Sequence, residues 1–146
     1  MNNEGRFVFD SNVIISALLF NKSVPGRAIV PSLDHGVILI SQSLVEELTN
    51  VLRRDKFDQY ISLQERDRFL ESLILEAELV EITESIQACR DPKDDRILEL
   101  AVNGNATFVV TGDTDLPVMN PFRNIHILTP AELLELFDSP PTERET

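Results

Sequence analysis

A second cysteine is missing from this chain of 146 residues, which excludes an intrachain disulfide and any multi-cysteine metal site. Cys89 stands alone and is read as a packed thiol without a role. Histidine is nearly as scarce. His35 and His126 are isolated in the sequence, so no Cys/His ligand cluster forms, and both are expected at the surface. No apolar run approaches the roughly 18 residues that span a bilayer. The opening MNNEGRFVFD is too polar and too soon strand-like for a signal peptide. A cytoplasmic protein without membrane contact is expected. Repeats, low-complexity tracts and an interdomain linker are absent as well. Finally, there is no basic surplus: 13 Lys and Arg stand against 25 Asp and Glu, for a formal charge of -12. Such a surface repels phosphates, whereas generic nucleic-acid binders are basic. Either the acids serve solubility, or some of them are grouped to hold cations.

What is present is an ordinary globular composition, 42% hydrophobic and 26% charged, in a length suited to one core. A single domain over residues 1–138 is expected, with a frayed polar tail, SPPTERET, over 139–146. RFVFD (residues 6–10) reads as a buried strand running directly into a helix, SNVIISALLF. A helix is expected over 27–35, ended by Gly36, then a second apolar strand, VILI (37–40). Ser41 or Ser43 caps the helix SLVEELTNVLRR. The charged span that follows carries Leu63, Phe69, Leu70, Leu73 and Ile74 at helical spacing, as a helix or helical hairpin, with LVEI (79–82) as a further strand. The helix DDRILELAVNG stops at Asn103-Gly104; ATFVVTGD and IHIL are strands, and PAELLELF is a last helix. Apolar strands alternating with helices imply a three-layer α/β/α sandwich on a mainly parallel sheet. Ligands in such folds lie beyond the carboxyl ends of the strands.

Asp10 and Asp113 close two of those strands, so parallel strands bring both to that edge. Either acid alone could be a helix cap or turn residue. Helical headings sort the others, at about 100° per residue. In SLVEELTNVLRR the apolar stripe is Leu44, Val45, Leu48, Val51 and Leu52; Glu46 points away from it and Glu47 lies at its border. In RDPKDDRILELA the stripe is Ile97, Leu98, Leu100 and Ala101. It contains Asp94, while Asp95 and Glu99 point away and Asp91 precedes Pro92 as turn or cap. An ionised carboxylate on a buried face is costly unless bonded, paired or bound to metal. A helix cap is the alternative for Asp94. Asp10, Glu47, Asp94 and Asp113, with Asp115 nearby, form a set that divalent cations would neutralise. Oxygen ligands suit Mg²⁺ or Mn²⁺ better than zinc.

In order, FVFDSNVIISALL, VEEL, DPKDDRILELA and VVTGDTDL resemble the acidic motifs of the PIN domain, the PilT N-terminal-type nucleases, over nearly the whole chain. The nearest likeness is to the single-domain relatives of VapC-type toxins of toxin–antitoxin systems. The resemblance implies a PIN-like fold and a metal-dependent endoribonuclease. Asp10, Glu47, Asp94 and Asp113 match the catalytic, metal-holding acids, and Asp115 matches an additional acid. Asn12 and Thr111 match supporting polar positions. It implies Mg²⁺ or Mn²⁺ as cofactor, RNA as substrate, a cognate antitoxin as partner and, as in many members, a homodimer. Asp91 and Asp95 crowd the third motif and compete for the role given to Asp94. Lys22, Arg53, Arg54, Lys56, Lys93 and Arg96 either form a positive rim or are solvated helix surface.

Two other readings stand beside this one. A PIN-like RNA- or protein-binding module without catalysis would suit the acidic surface. A phosphoryl-transfer domain ranks third: a haloacid-dehalogenase type needs Asp-x-Asp after its first strand, where this chain has Asn12. A receiver type needs paired acids there and a lysine ending a late strand, which IHILTP does not supply.

Overall fold

Alternation of apolar strands with helices produces one parallel sheet, in the order β3-β2-β1-β4-β5. The strands are β1 (Gly5–Phe9), β2 (Gly36–Ile40), β3 (Glu78–Leu79), β4 (Phe108–Val110) and β5 (His126–Leu128). The computed structural model describes residues 5–20, 29, 31–112, 116 and 119–138. The polar tail expected over 139–146 lies outside them. The helices are α1 (Ser11–Leu19), α2 (Gln42–Leu52), α3 (Leu63–Glu76), α4 (Pro92–Asn103) and α5 (Pro130–Asp138). With right-handed crossovers, this order places the helices leading to β2 and β3 on one face and α4, leading to β4, on the other. The parallel α/β sandwich is therefore as expected.

The inner strands are apolar except for Arg6 near the start of β1, because helices cover both sides of the sheet. Phe7, Val8 and Phe9 of β1, Ile38, Leu39 and Ile40 of β2, and Val109 and Val110 of β4 are all buried. Phe7 stacks on Phe108 with centroids 5.6 Å apart and meets the edge of Phe137 from α5 at 5.9 Å. Where β1 and β2 begin, Gly5 pairs with Gly36. A Cβ on Gly36 would stand 1.8 Å from the Gly5 carbonyl oxygen, so only glycine permits this approach.

Local signals set the helix starts. Ser41 caps α2 by accepting from Leu44 N, Ser62 caps α3 by accepting from Glu65 N, and Asp91 caps α4 by accepting from Lys93 N, with Pro92 following. Several boundaries differ from expectation. Of the helix over 27–35, Ile29 and residues 31–34 are helical and His35 is not, while 27, 28 and 30 lie outside the described residues. Gly36 opens β2 as well as ending that helix. No helical hairpin forms: a 3-10 turn, Asp55–Phe57, leads into the single helix α3. Leu63 and Ile74 are exposed, and the one buried residue of α3 is Arg66. Of the strand expected over 79–82 only Leu79 falls in β3, the exposed pair Glu78–Leu79, which pairs only on its β2 side.

Candidate functional site

Register brings the first elements of the site together. The last pair of the β1–β4 ladder is Phe9 with Val110, so the next residues, Asp10 and Thr111, leave the carboxyl edge side by side. Asp10 N donates to Val110 O at 3.1 Å. The fully buried Thr111 donates its hydroxyl to Asp10 Oδ2, and Asp10 Oδ1 accepts from Val13 N at 2.9 Å, capping α1. Asp10 is thus a helix cap through one oxygen and a member of the strand-end cluster through the other.

Glu47 joins them through a residue the motifs did not single out. Ser11, the first residue of α1, donates its hydroxyl to Glu47 Oε2 at 2.6 Å. Glu47 is half-buried on α2, whereas Glu46 is exposed and accepts from Gln42 Nε2 at 3.3 Å. Both headings follow the helical arithmetic. The only signal for Ser11 was its place immediately after the strand-end acid.

Asp94 is 8% exposed and lies in the first turn of α4, where the positive end of the helix dipole favours a carboxylate. The cap is Asp91, whose carbonyl also accepts from Asp94 N at 3.0 Å, so the capping alternative for Asp94 is overturned. Asp95 points away from the apolar stripe, as its heading implies, yet it is not merely solvated. Its Oδ1 accepts from Ala88 N at 2.9 Å and Cys89 N at 2.8 Å, and these bonds, Ala88 first, hold its carboxyl below the ordinary 3.8. Glu99, likewise directed away from the stripe, accepts from Ile86 N at 3.0 Å. Both acids pin the segment before α4, which leaves Asp94 as the acid of this helix directed into the fold.

Asp113 and Asp115 lie outside the described residues, as does Lys22. Asn12 is exposed. Among the described residues, no three acid, histidine or cysteine side chains stand close enough to hold a metal ion. His126 is exposed, as expected. His35 is exposed too, but stacked on Phe137 at 4.4 Å. Cys89 is half-buried, with Sγ 3.7 Å from Met119 Sδ. No described helix is long and apolar enough to cross a membrane.

Beyond Glu47, a shallow depression of about 500 Å³ runs along α2 toward the first turn of α4, lined by Glu46, Glu47, Asn50, Arg54, Lys93 and Arg96 among others. Arg54, Lys93 and Arg96 of the anticipated basic set therefore share one surface, while the exposed Arg53 and Lys56 lie outside it.

A family model described as "PIN domain" matches residues 6–115. The sequence is 25% identical over 143 residues to the uncharacterized protein MJ1680 of Methanocaldococcus jannaschii, covering 91% of this chain and 92% of that one. Among solved structures, the fold is similar to a chain in the crystal structure of VapBC2 from Rickettsia felis bound to a DNA fragment from their promoter. The TM-score is 0.59 at 12% identity, over 85% of this chain and 98% of that chain. At that identity the likeness speaks for the fold.

Proposed function

The chain belongs to the PIN domain family, and from that premise we propose that it is a metal-dependent endoribonuclease, the toxin of a type II toxin–antitoxin pair. One observation carries the reading. Asp10 stands at the carboxyl edge of a parallel sheet, fastened by Thr111 from the neighbouring strand, with Glu47 drawn to it through Ser11. That edge is where such sheets bind ligands. Asp94, buried at the start of α4, is the third acid of the set, and Asp113 the fourth, with Asp115 assisting.

The donor chemistry fits a hard divalent cation: oxygen ligands only, two of them already oriented by hydroxyl donors. When bound, Mg²⁺ or Mn²⁺ supplies Lewis acidity, acidifying water for attack on phosphorus and offsetting charge on the phosphate. The chain's own residues set the geometry. Thr111 and Val13 N fix the two oxygens of Asp10, Ser11 fixes one of Glu47, and exposed Asn12 offers an amide to substrate phosphate. A cognate antitoxin is the proposed protein partner, supported by the fold neighbour's solution as a VapBC2 complex. A homodimer is the proposed assembly, on family likeness.

Asp10→Asn removes a ligand charge without changing shape. It should abolish Mn²⁺-dependent cleavage of RNA by the purified protein while leaving its far-UV circular dichroism unchanged; full activity in this variant would defeat the assignment. The formal charge of -12 favours a binding module without catalysis as the second reading. Metal titration separates the two. At about 100 times its dissociation constant, an ion held by the acids adds about 2.7 kcal/mol of stability, and Asp10→Asn should lose most of that gain.

A further inference from the structure

Cations in this chain are scarce, and three of the described ones are tied to acids. Arg6 bonds Glu78 at 2.6 Å, Arg66 bonds Asp58 at 2.5 Å and Arg123 bonds Glu84 at 2.5 Å. Around the depression beside Glu47, three cations gather on one surface. Arg54, Lys93 and Arg96 share its wall with Glu46 and Glu47, yet among the described residues none of the three makes an ion pair. The two glutamates have other donors: Gln42 for Glu46 and Ser11 for Glu47. Three exposed cations therefore line one hollow without being committed to the protein's own carboxylates.

Their placement has structural causes. Lys93 and Arg96 lie three residues apart over the first two turns of α4, so they share a face near the positive end of that helix. Arg54 lies just past the C-cap of α2, and its carbonyl accepts from the buried guanidinium of Arg66 at 3.1 Å, which fixes the backbone beneath it. The hollow runs along α2 from Ser43 past Glu47, the acid tied to the strand end through Ser11, and on through Asn50 to Arg54.

We propose that this depression is the track for the RNA strand flanking the cleaved bond, with Arg54, Lys93 and Arg96 holding its backbone phosphates. The assignment rests on the nuclease reading for its direction, out from the acids along α2. Guanidinium forks and an ammonium are the donors suited to phosphate oxygens. Because the contacts are to the backbone, they supply affinity without sequence preference. They also give a chain of charge -12 a local point of attraction for a polyanion.

The test uses Asp10→Asn protein, to prevent cleavage, and a short fluorescein-labelled single-stranded RNA, followed by anisotropy between about 50 and 200 mM salt. Adding Arg54→Ala, Lys93→Ala and Arg96→Ala together should weaken binding at least about tenfold at low salt. It should also reduce the salt slope by about 2, at roughly 0.7 per phosphate contact on single strands. All three side chains are exposed, so the melting temperature should stay with the parent. Arg123→Ala, a cation paired with Glu84 outside the depression, should leave binding unchanged. The proposal is overturned if the parent does not bind RNA, if the triple variant keeps its affinity and slope, or if Arg123→Ala weakens binding equally. Mn²⁺-dependent hydrolysis of a small phosphodiester by the unmodified protein tests the nuclease reading on its own. Hydrolysis with no effect of the triple variant on RNA binding removes the track alone. No hydrolysis with a strong effect removes the nuclease reading and leaves the depression as an RNA-binding strip.

Discussion

Arg66 offers the sharpest energetic test of how the site is held. It is 1% exposed, and its guanidinium donates from Nη1 to Leu52 O at 2.7 Å and Arg54 O at 3.1 Å, and from Nε to Ser62 O at 3.3 Å. Its Nη2 meets Asp58 at 2.5 Å. The first two acceptors lie at and just beyond the C-terminal end of α2, where helix carbonyls lack intrahelical partners. Truncation to Ala leaves the buried Leu52 carbonyl unmet, at about 1–3 kcal/mol, and removes two part-buried bonds at roughly 0.5–1.5 kcal/mol each. A total loss of about 3–4 kcal/mol is expected, or roughly 6–16 °C in melting temperature for a domain of this size. Asp58 contributes little of this, since its side chain is 63% exposed and water replaces the partner; Asp58→Asn should cost under about 1 kcal/mol. Arg66→Lys, which keeps the charge but not the fork, should fall between them. Urea unfolding followed by circular dichroism measures all three, with an unchanged denaturant slope as the check on two-state behaviour. Equal losses in Asp58→Asn and Arg66→Ala would refute the carbonyl clamp in favour of a simple ion pair, and a loss under about 1 kcal/mol for Arg66→Ala would refute it outright.

Gly36→Ala places a methyl 1.8 Å from the Gly5 carbonyl and should disrupt the start of the β1–β2 ladder, at a cost above about 3 kcal/mol; a melting temperature within about 2 °C of the parent would show that the strands tolerate the shift. Ser11→Ala and Thr111→Val remove hydroxyls that orient Glu47 and Asp10, and each should lower Mn²⁺-dependent RNA cleavage by about 10–100-fold with the fold retained. Unchanged rates would reduce both hydroxyls to structural roles. Acid sensitivity follows from depressed carboxyls: backbone bonds from Ala88 and Cys89 lower Asp95 from 3.8, and the Arg6 bond lowers Glu78 from 4.5. Their stabilisation is complete above those ordinary values and is lost as pH falls through the depressed ones. Asp95→Asn should therefore flatten the fall in melting temperature below about pH 4, and an unaltered acid limb would contradict the anchoring role.

The strand-end position of Asp10 was legible because RFVFD runs straight into a helix, leaving no residue between the ladder and the acid. The burial of Asp94 was legible because its heading falls among Ile97, Leu98 and Ala101, and the structure buries it there. Asp95 and Glu99 were legible only in direction: pointing away from the stripe looked like solvent, but the chain before α4 folds back over that face and uses both as acceptors. Arg66 was missed because a buried arginine in a charged span carries no periodic signal. The end of α2 and the turn after it, brought against α3, supply the acceptors that make its burial tolerable.

Local rules act over a few residues, so the sequence alone determined the alternation of elements, the parallel sheet, and the inward faces of α2 and α4; it left the caps open between Ser41 and Ser43 and between Asp91 and Asp94. Contacts between distant segments decided the rest. Thr111 reaches Asp10 across 101 positions because β1 and β4 pair in one register, and Ser11 reaches Glu47 across 36 because α1 packs on α2. Register and helix packing are settled by the fit of the whole core, which no single stretch encodes. The gathering of Arg54, Lys93 and Arg96 around the α2 depression is likewise a product of that packing.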